Sequence, residues 1–164
     1  MGEKKRACCV FGHRKVPEKD SLKGNLSAVF ENLIVNENVD TFYLGSRSQF
    51  DDLCREVLSH KKDIYPHIQR IYVRAEYPYI SEDYEKYLLE SCDKTYFPEK
   101  ALNAGRAVYT KRNYEMINNS DICVIYFENN KFPSDNINGK SGTALAFKYA
   151  VQKKKIIINL FCQK

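Results

Sequence analysis

The chain has 164 residues, of which 43% are hydrophobic and 29% charged, and its formal net charge is +5 at pH 7. This length and composition exclude a disordered chain and favour one domain over residues 1–164. No apolar run approaches the roughly 20 residues that span a bilayer, and the charged start lacks the apolar stretch of a secretory signal, so we expect a cytoplasmic protein with no membrane partner.

The first half of the chain alternates between strand patterns and helix patterns. Three short apolar runs predict strands that are buried on both faces, as in parallel sheets. These runs cover residues 7–11, 41–44 and 68–73. Two stretches with apolar residues at helical spacing separate them, at residues 22–33 and 49–60.

The second half continues the alternation. Ser81, followed by two acidic residues, is typical of a helix start, because a serine side chain caps free N–H groups and acids favour the positive end of the helix dipole. The predicted helices cover residues 81–91, 107–118 and 141–153, and the predicted strands cover residues 94–97, 121–127 and 156–161. Residues 128–140 are polar, contain Pro and Gly, and predict a loop.

This order of elements determines the expected fold class. Strands that alternate with helices form right-handed crossovers around a parallel sheet. We therefore predict an α/β, Rossmann-like three-layer fold with a mainly parallel sheet and helices on both faces.

The cysteines and histidines do not predict a metal site. The six cysteines form no CxxC pair, and none of the three histidines lies at ligand spacing from them. Cys8, Cys9, Cys123 and Cys162 fall in apolar runs, which predicts small core residues in a reducing compartment.

Ligands of open parallel sheets bind beyond the carboxyl ends of the strands. Three segments that follow predicted strands carry suitable residues. They are residues 12–15 (GHRK), 45–51 (GSRSQFD) and 139–143 (GKSGT). Neither a Walker A motif nor GxGxxG occurs, so the fingerprints of ordinary nucleotide-binding loops are absent from the sequence.

The segment at 139–143 has the clearest physical rationale. Small residues at a helix start let a ligand approach free N–H groups, and the helix dipole favours an anion such as phosphate. Ser141 and Thr143 add hydroxyl donors. A plain helix cap explains this segment equally well, and a polar turn explains residues 12–15. Taken alone, Arg112 is expected at the surface of its helix, whereas Met116 and Ile117 are expected in the core.

Four short motifs follow one another along the chain. They are Gly12-His13-Arg14 after the first strand, Gly45 with Phe50-Asp51 after the second, Arg112-Asn113-x-x-Met116 before the strand at 121, and Ser141-Gly142-Thr143 at the last helix. In this order the sequence resembles the SLOG superfamily, particularly its YpsA-like branch, over about residues 6–160. SLOG proteins are related to the LOG phosphoribohydrolases and to the DprA proteins.

The resemblance implies a Rossmann-like fold that binds a nucleotide-type small molecule and needs no cofactor or metal. The candidate ligand-binding residues are Gly12, His13, Arg14, Gly45, Arg47, Asp51, Arg112, Asn113, Ser141, Gly142 and Thr143. We expect Ser141, Gly142 and Thr143 to hold a phosphate, and Arg14 and Arg112 to supply positive charge. Gly12 and Gly45 are expected to keep the strand ends open, and Tyr109 or Phe50 to stack on the base.

One departure from the related LOG enzymes bears on catalysis. The LOG pattern PGGxGTxxE ends in a glutamate that serves in cleaving the N-glycosidic bond, and Ala146 occupies that position here. Alanine cannot transfer a proton, so LOG-type hydrolysis is not expected and the catalytic residues, if any, are unknown. Asp51, Glu76 and Glu115 are the carboxylates that could replace it.

Three functions are compatible with these observations. We favour a non-catalytic sensor or sequestering protein for a nucleotide, an ADP-ribose derivative or a cyclic nucleotide signal, because SLOG domains are associated with nucleotide signalling in phage–bacteria conflict. The alternative is an N-glycosidic-bond hydrolase or transferase acting on nucleoside monophosphates, LOG-like or deoxyribosyltransferase-like. A nucleic-acid partner is less favoured, because the basic clusters at 4–6 and 153–155 accompany no DNA- or RNA-binding motif. A homo-oligomer is compatible with the resemblance.

Overall fold

Six parallel strands form the centre of the fold in a computed structural model that describes residues 4–128 and 142–161. The strands are β1 (Arg6–Gly12), β2 (Val39–Leu44), β3 (Gln69–Val73), β4 (Lys94–Tyr96), β5 (Ile122–Tyr126) and β6 (Ile156–Asn159). Their order across the sheet is β4-β3-β2-β1-β5-β6, and every neighbouring pair is parallel. The predicted α/β, Rossmann-like fold is confirmed.

Five helices connect the strands in the described part of the chain. They are α1 (Lys19–Asn36), α2 (Gln49–Ile64), α3 (Glu82–Leu89), α4 (Val108–Asn118) and α5 (Gly142–Gln152). Two short 3₁₀ turns, Glu99–Ala101 and Gly105–Ala107, lie between β4 and α4. The predicted elements are all present, with ends that differ by a few residues; the predicted loop at 128–140 lies almost wholly outside the described residues.

Two cores cover the two faces of the sheet, because successive side chains of a strand point to opposite faces. Cys8 and Val10 of β1 pack in one core with Phe30 of α1. Cys9, between them, packs in the other core with Met116 of α4. Helices α1, α2 and α3 contribute to the first core, and α4 and α5 contribute to the second.

The strand order reverses beside β1. The chain proceeds outward from β1 through β2 and β3 to β4, and then crosses back to place β5 on the other side of β1. The connections on the two sides of this point pass over opposite faces of the sheet, so a crevice opens at the carboxyl ends of the strands. The topology therefore opens a crevice at the edge of the sheet where the sequence predicted a ligand site.

Serine caps fix the starts of two helices. The Ser48 hydroxyl accepts a hydrogen bond from the Asp51 N–H at 3.0 Å at the start of α2. The Ser81 hydroxyl accepts one from the Tyr84 N–H at 3.1 Å at the start of α3, as its sequence predicted. The α2 cap is important for the site, because it orients the first turn of that helix at the sheet edge.

The cysteines of the described segments are buried and carry free thiols. Cys8, Cys9 and Cys123 lie in strands, as predicted, and the Cys9 Sγ lies 3.5 Å from the Cys123 Sγ across β1 and β5. Cys162 lies outside the described residues. Among the helices that are described, none is long and apolar enough to cross a membrane.

Candidate functional site

A cavity of about 820 Å³ opens at the carboxyl ends of β1, β2 and β3. The starts of α2 and α5 and part of α4 complete its wall. Ten of the eleven candidate residues line it, namely Gly12, His13, Arg14, Gly45, Arg47, Asp51, Arg112, Asn113, Gly142 and Thr143. The eleventh, Ser141, lies outside the described residues. One cavity thus unites motifs that are up to 131 residues apart in the chain.

The segment after β1 forms one side of the cavity. The His13 Nε2 accepts a hydrogen bond from the Glu128 N–H at 2.8 Å, and the His13 N–H donates to the Tyr126 carbonyl at 3.1 Å. Both contacts connect the end of β1 to the end of β5, so His13 has a structural role here. Arg14 is exposed and lines the cavity, where its guanidinium is accessible to a ligand.

Because Gly12 and Gly45 have no side chains, other side chains of the protein pack against them, and the strand ends there are not open. A Cβ built at Gly12 would lie 2.5 Å from the Phe50 ring, and one built at Gly45 would lie 2.7 Å from the Arg112 Cδ. Real Cβ atoms do not approach other atoms so closely. The expectation that these glycines keep the strand ends open is therefore wrong, because Phe50 and Arg112 occupy the space beside them.

Arg112 is a buried cation held by uncharged acceptors. It is only 5% exposed, so the surface position expected from its helix alone is wrong. Its Nη1 donates to the Gly45 carbonyl and, at 3.5 Å, to the Val73 carbonyl, while its Nε donates to the Asn113 Oδ1 at 2.8 Å. Within residues 4–128 and 142–161, no carboxylate lies within ion-pair distance of Arg112. Burial lowers the pKa of Arg112, and the charge of Asp51 opposes this effect.

The guanidinium of Arg112 retains capacity for a ligand. Two of its three nitrogens, Nε and Nη1, make the hydrogen bonds described above, whereas Nη2 has no hydrogen-bond partner in the described parts of the chain. The bonds to the ends of β2 and β3 fix the orientation of the group. A buried arginine without a paired carboxylate is costly unless an anion compensates its charge. Arg112 is therefore an oriented cation in the cavity wall whose charge no carboxylate of the described residues neutralises.

Asp51 is a buried carboxyl in the same wall. It is 1% exposed, and its Oδ2 accepts hydrogen bonds from the hydroxyl groups of Ser46 and Ser48, the latter at 2.8 Å. Its Oδ1 is buried without a hydrogen-bond partner among the residues that the structure describes. Burial raises the pKa of Asp51, and the two serine hydroxyls and the charge of Arg112 oppose this rise. An unsatisfied buried acceptor is rare in folded proteins and calls for an explanation.

The start of α5 faces the end of β1. The Thr143 hydroxyl donates to the Gly12 carbonyl at 3.0 Å, so its proton is already in use and the oxygen remains as an acceptor. A Cβ built at Gly142 meets no atom of the described residues within 4 Å, and Gly142 lines the cavity. The first N–H groups of a helix have no intrahelical partners and attract anions. This geometry suits the predicted phosphate contact at Gly142.

Tyrosines form an aromatic part of the wall. Tyr72, Tyr77, Tyr84 and Tyr109 all line the cavity, and Tyr77 and Tyr109 are each 49% exposed. The predicted stacking role is compatible with Tyr109, whose ring lies 5.8 Å from the Arg112 Cζ. It is wrong for Phe50, which is fully buried and stacks on Tyr126.

The cavity carries more positive than negative charge. The cationic side chains that line it are Arg14, Lys15, Arg47, Arg74 and Arg112, and the acidic ones are Asp51 and Glu76. Several of these cations are held in place by the protein. Arg47 donates to the Tyr84 hydroxyl at 2.7 Å, and Arg74 donates to the Tyr77 and Pro78 carbonyls at 3.0 and 3.2 Å.

The sequence did not indicate several of these lining residues. Arg74 and Tyr77 follow β3, and no glycine marks the end of that strand in the sequence. The rule that ligands bind at the carboxyl ends of parallel strands applies to β3 as it does to β1 and β2, and it is the signal that indicates these two residues. Tyr84 lies in α3, and its approach to the cavity carries no local sequence signal.

The carboxylates proposed to replace the LOG glutamate lie in different places. Asp51 and Glu76 line the cavity. Glu115 is not among the lining residues and accepts hydrogen bonds from Tyr96 and Asn119 instead. Ala146 is fully buried in the core between α5 and the sheet, so its position contributes no group to the cavity.

Comparison with known proteins adds no assignment. No family model matches the chain, and no curated protein matches it significantly. In the described segments, no group of three or more His, Cys, Asp or Glu side chains is arranged to hold a metal ion. Any functional conclusion therefore depends on the geometry of the cavity.

Proposed function

We propose that this protein binds a nucleotide or nucleotide-derived phosphate ligand in the cavity at the carboxyl ends of its parallel strands, as a sensor or sequestering protein. The observation that carries the proposal is Arg112, a 95% buried cation with no carboxylate within ion-pair distance in the described chain and one nitrogen available. An anionic ligand would supply the missing negative charge. A guanidinium suits a phosphate because its planar donors match two phosphate oxygens.

The rest of the wall supports the same ligand class. The backbone at Gly142 offers N–H donors, and Arg14 and Lys15, which follow β1, add positive charge. The exposed rings of Tyr77 and Tyr109 provide surfaces on which a base can stack. A volume of about 820 Å³ lies in the range of small-molecule sites.

We also propose that the chain belongs to the SLOG superfamily and acts in the cytosol. The SLOG proposal is supported by the four motifs, because all of their named residues that the structure describes, except Phe50, line one cavity. The cytosolic proposal is supported by the free thiols of Cys8, Cys9 and Cys123, which are typical of a reducing compartment.

Ligand-induced thermal stabilisation tests the binding proposal. The panel contains nucleoside mono- and diphosphates, ADP-ribose and cyclic dinucleotides. We expect at least one compound to raise the Tm of the wild-type protein, and Arg112→Ala to abolish that shift. Gly142→Asp should abolish it as well, because the aspartate adds negative charge at a position where a side chain fits without contact.

Matched controls separate charge effects from folding effects. Gly142→Ala adds a methyl group without charge and should retain most of the shift. Arg106→Ala removes an exposed arginine that does not line the cavity, and should retain it fully. If no compound in the panel stabilises the wild type, or if Arg112→Ala keeps the full shift, the proposed binding function is wrong.

A second candidate function is cleavage or transfer at an N-glycosidic bond. The observation that favours it is Asp51, a carboxyl in the cavity wall whose Oδ1 lacks a partner in the described chain. Such chemistry needs a carboxylate near the anomeric carbon of the sugar. Incubation with nucleoside monophosphates followed by chromatography for free base tests this candidate; absence of release across the panel argues against it.

A further inference from the structure

The unpartnered oxygen of Asp51 is the strongest feature that phosphate binding leaves unexplained. Asp51 lies in the first turn of α2, where its Oδ2 is fully used by the hydroxyl groups of Ser46 and Ser48. Its Oδ1 has no hydrogen-bond partner in the part of the chain that is described, although the side chain is 99% buried. A carboxylate oxygen is only an acceptor, so the missing partner is a hydrogen-bond donor.

Asp51 and Arg112 form hydrogen bonds with two consecutive residues, Ser46 and Gly45. The Gly45 carbonyl accepts from Arg112, and the next residue, Ser46, donates through its hydroxyl to Asp51. Asp51 thus lies close to the position where Arg112 would hold a phosphate. A carboxylate repels a phosphate, so the ligand group that meets Asp51 is a neutral donor bonded to the phosphate or very close to it.

In a nucleotide, the group that follows the phosphate is the sugar, and the donors of the sugar are its 2′ and 3′ hydroxyl groups. The amino groups of the base lie at the far end of the molecule, where the exposed rings of Tyr77 and Tyr109 offer stacking surfaces. We propose, on the basis of the proposed nucleotide-binding function, that Asp51 is a specificity-determining residue that accepts a hydrogen bond from a ribose hydroxyl. The cavity then selects ribonucleotides over deoxyribonucleotides.

Local flexibility makes this contact reachable. The Cβ–Cγ torsion of an aspartate is broad rather than restricted to staggered wells, so the carboxylate can turn without leaving its rotamer. Ser46 lines the cavity and its hydroxyl also accepts from the Ser48 N–H at 3.1 Å. Turning the carboxylate brings Oδ1 towards the cavity, where a sugar hydroxyl can donate to it, while the α2 cap formed by Ser48 stays intact.

Calorimetric titration of matched ligand pairs tests the proposal. The probes are AMP, GMP, ADP and ADP-ribose, each compared with its 2′-deoxy counterpart, and AMP is also compared with 3′-deoxy-AMP. We expect the wild type to bind a ribose form at least about tenfold more tightly than a deoxy form, as for a hydrogen bond to a charged group. Asp51→Asn should reduce this ratio to within about threefold, because a charge-assisted hydrogen bond becomes a neutral one.

The control and the outcomes separate this inference from the function on which it rests. Asp52→Asn removes the exposed neighbouring acid of the same helix turn and should leave the ratio unchanged. Equal binding of ribose and deoxy forms by the wild type overturns the role of Asp51, while nucleotide binding stands. This comparison uses the wild-type protein alone and does not depend on whether a variant folds. A ratio that persists in a folded Asp51→Asn protein also overturns it. If none of the probes binds, the role of Asp51 is overturned; if no compound of the thermal-shift panel binds either, the nucleotide proposal fails as well.

Discussion

Asp51 and Arg112 are buried in the wall of the same cavity, carry opposite charges, and form no ion pair with each other. Each affects the other, because the charge of Arg112 opposes the rise in the pKa of Asp51 and the charge of Asp51 opposes the fall in the pKa of Arg112. An ion pair between them would neutralise the positive charge that, in the function proposed above, binds the phosphate of the ligand.

The pKa of Asp51 predicts how stability depends on pH. Burial raises this pKa above its ordinary value of about 3.9, so the folded state holds the proton more tightly than the unfolded state. The ionised carboxyl then destabilises the fold increasingly as the pH rises from about 4 through the pKa of the folded state. We expect the free energy of unfolding of the wild type, relative to Asp51→Asn, to fall over this range. Urea unfolding of both proteins between about pH 4 and 7 measures it; a relative stability that rises with pH contradicts the prediction.

Gly45→Ala should displace the Arg112 side chain without removing any functional group. The new Cβ would lie 2.7 Å from the Arg112 Cδ and 3.0 Å from the Met116 Sδ, so the arginine side chain must shift. We expect a loss of about 1–3 kcal/mol in the free energy of unfolding from overpacking, and loss of ligand-induced stabilisation. Denaturant unfolding and thermal shift measure the two effects. Gly142→Ala is the control, and a Gly45→Ala protein with wild-type values for both would refute the packing assigned to Arg112.

Gly12→Ala should affect stability through Phe50. The methyl group would lie 2.5 Å from a ring that is fully buried, so we expect a loss of about 1–3 kcal/mol in the free energy of unfolding. In contrast, Gly24 lies within α1 with no atom within 4 Å of a Cβ, and Gly24→Ala should stabilise by about 0.5–1 kcal/mol.

A double variant tests the cause of the Gly12 effect. Phe50→Leu combined with Gly12→Ala should lose less stability than the sum of the two single variants, because the smaller side chain relieves the overlap. Strict additivity in urea unfolding would mean that the Phe50 ring is not what Gly12 accommodates.

The buried thiols should be unreactive in the folded protein. Burial raises the pKa of Cys8, Cys9, Cys54 and Cys92, and the thiolate is the reactive form. At neutral pH we expect iodoacetamide to label these cysteines far more slowly in the native state than in urea. Peptide mapping by mass spectrometry resolves each site; rapid native labelling of Cys9 would contradict its place in the core.

Much of the fold could be predicted because buried strands have a strong local signal. The apolar runs that became β1 and β5 are short, unbroken and flanked by polar residues, and parallel strands covered on both faces require this pattern. The motifs at Gly12 and Gly45 then located the cavity, since both follow strands of one parallel sheet. These inferences needed only neighbouring residues in the sequence.

The role of Arg112 could not be predicted in this way. Its partners Gly45 and Val73 lie 67 and 39 residues away, and helical spacing gives no sign that a long side chain reaches across to strand ends. The burial of Phe50 depends on the same kind of relationship, because the absence of a side chain at Gly12 creates its space. Local patterns predict which elements form, whereas the contacts between distant elements decide which polar groups are buried.

Two hydrogen bonds hold the residues on either side of 129–141 to the end of β1. This arrangement has a consequence for protein engineering. The Glu128 N–H donates to His13 and the Thr143 hydroxyl donates to Gly12, so the chain leaves and returns beside the same end of β1. The entropy of closing a loop rises only slowly with its length. Because both ends of this interval are held to the sheet, exchange of residues 129–140 for another sequence, such as an epitope or a reporter peptide, should leave the fold of the described residues intact.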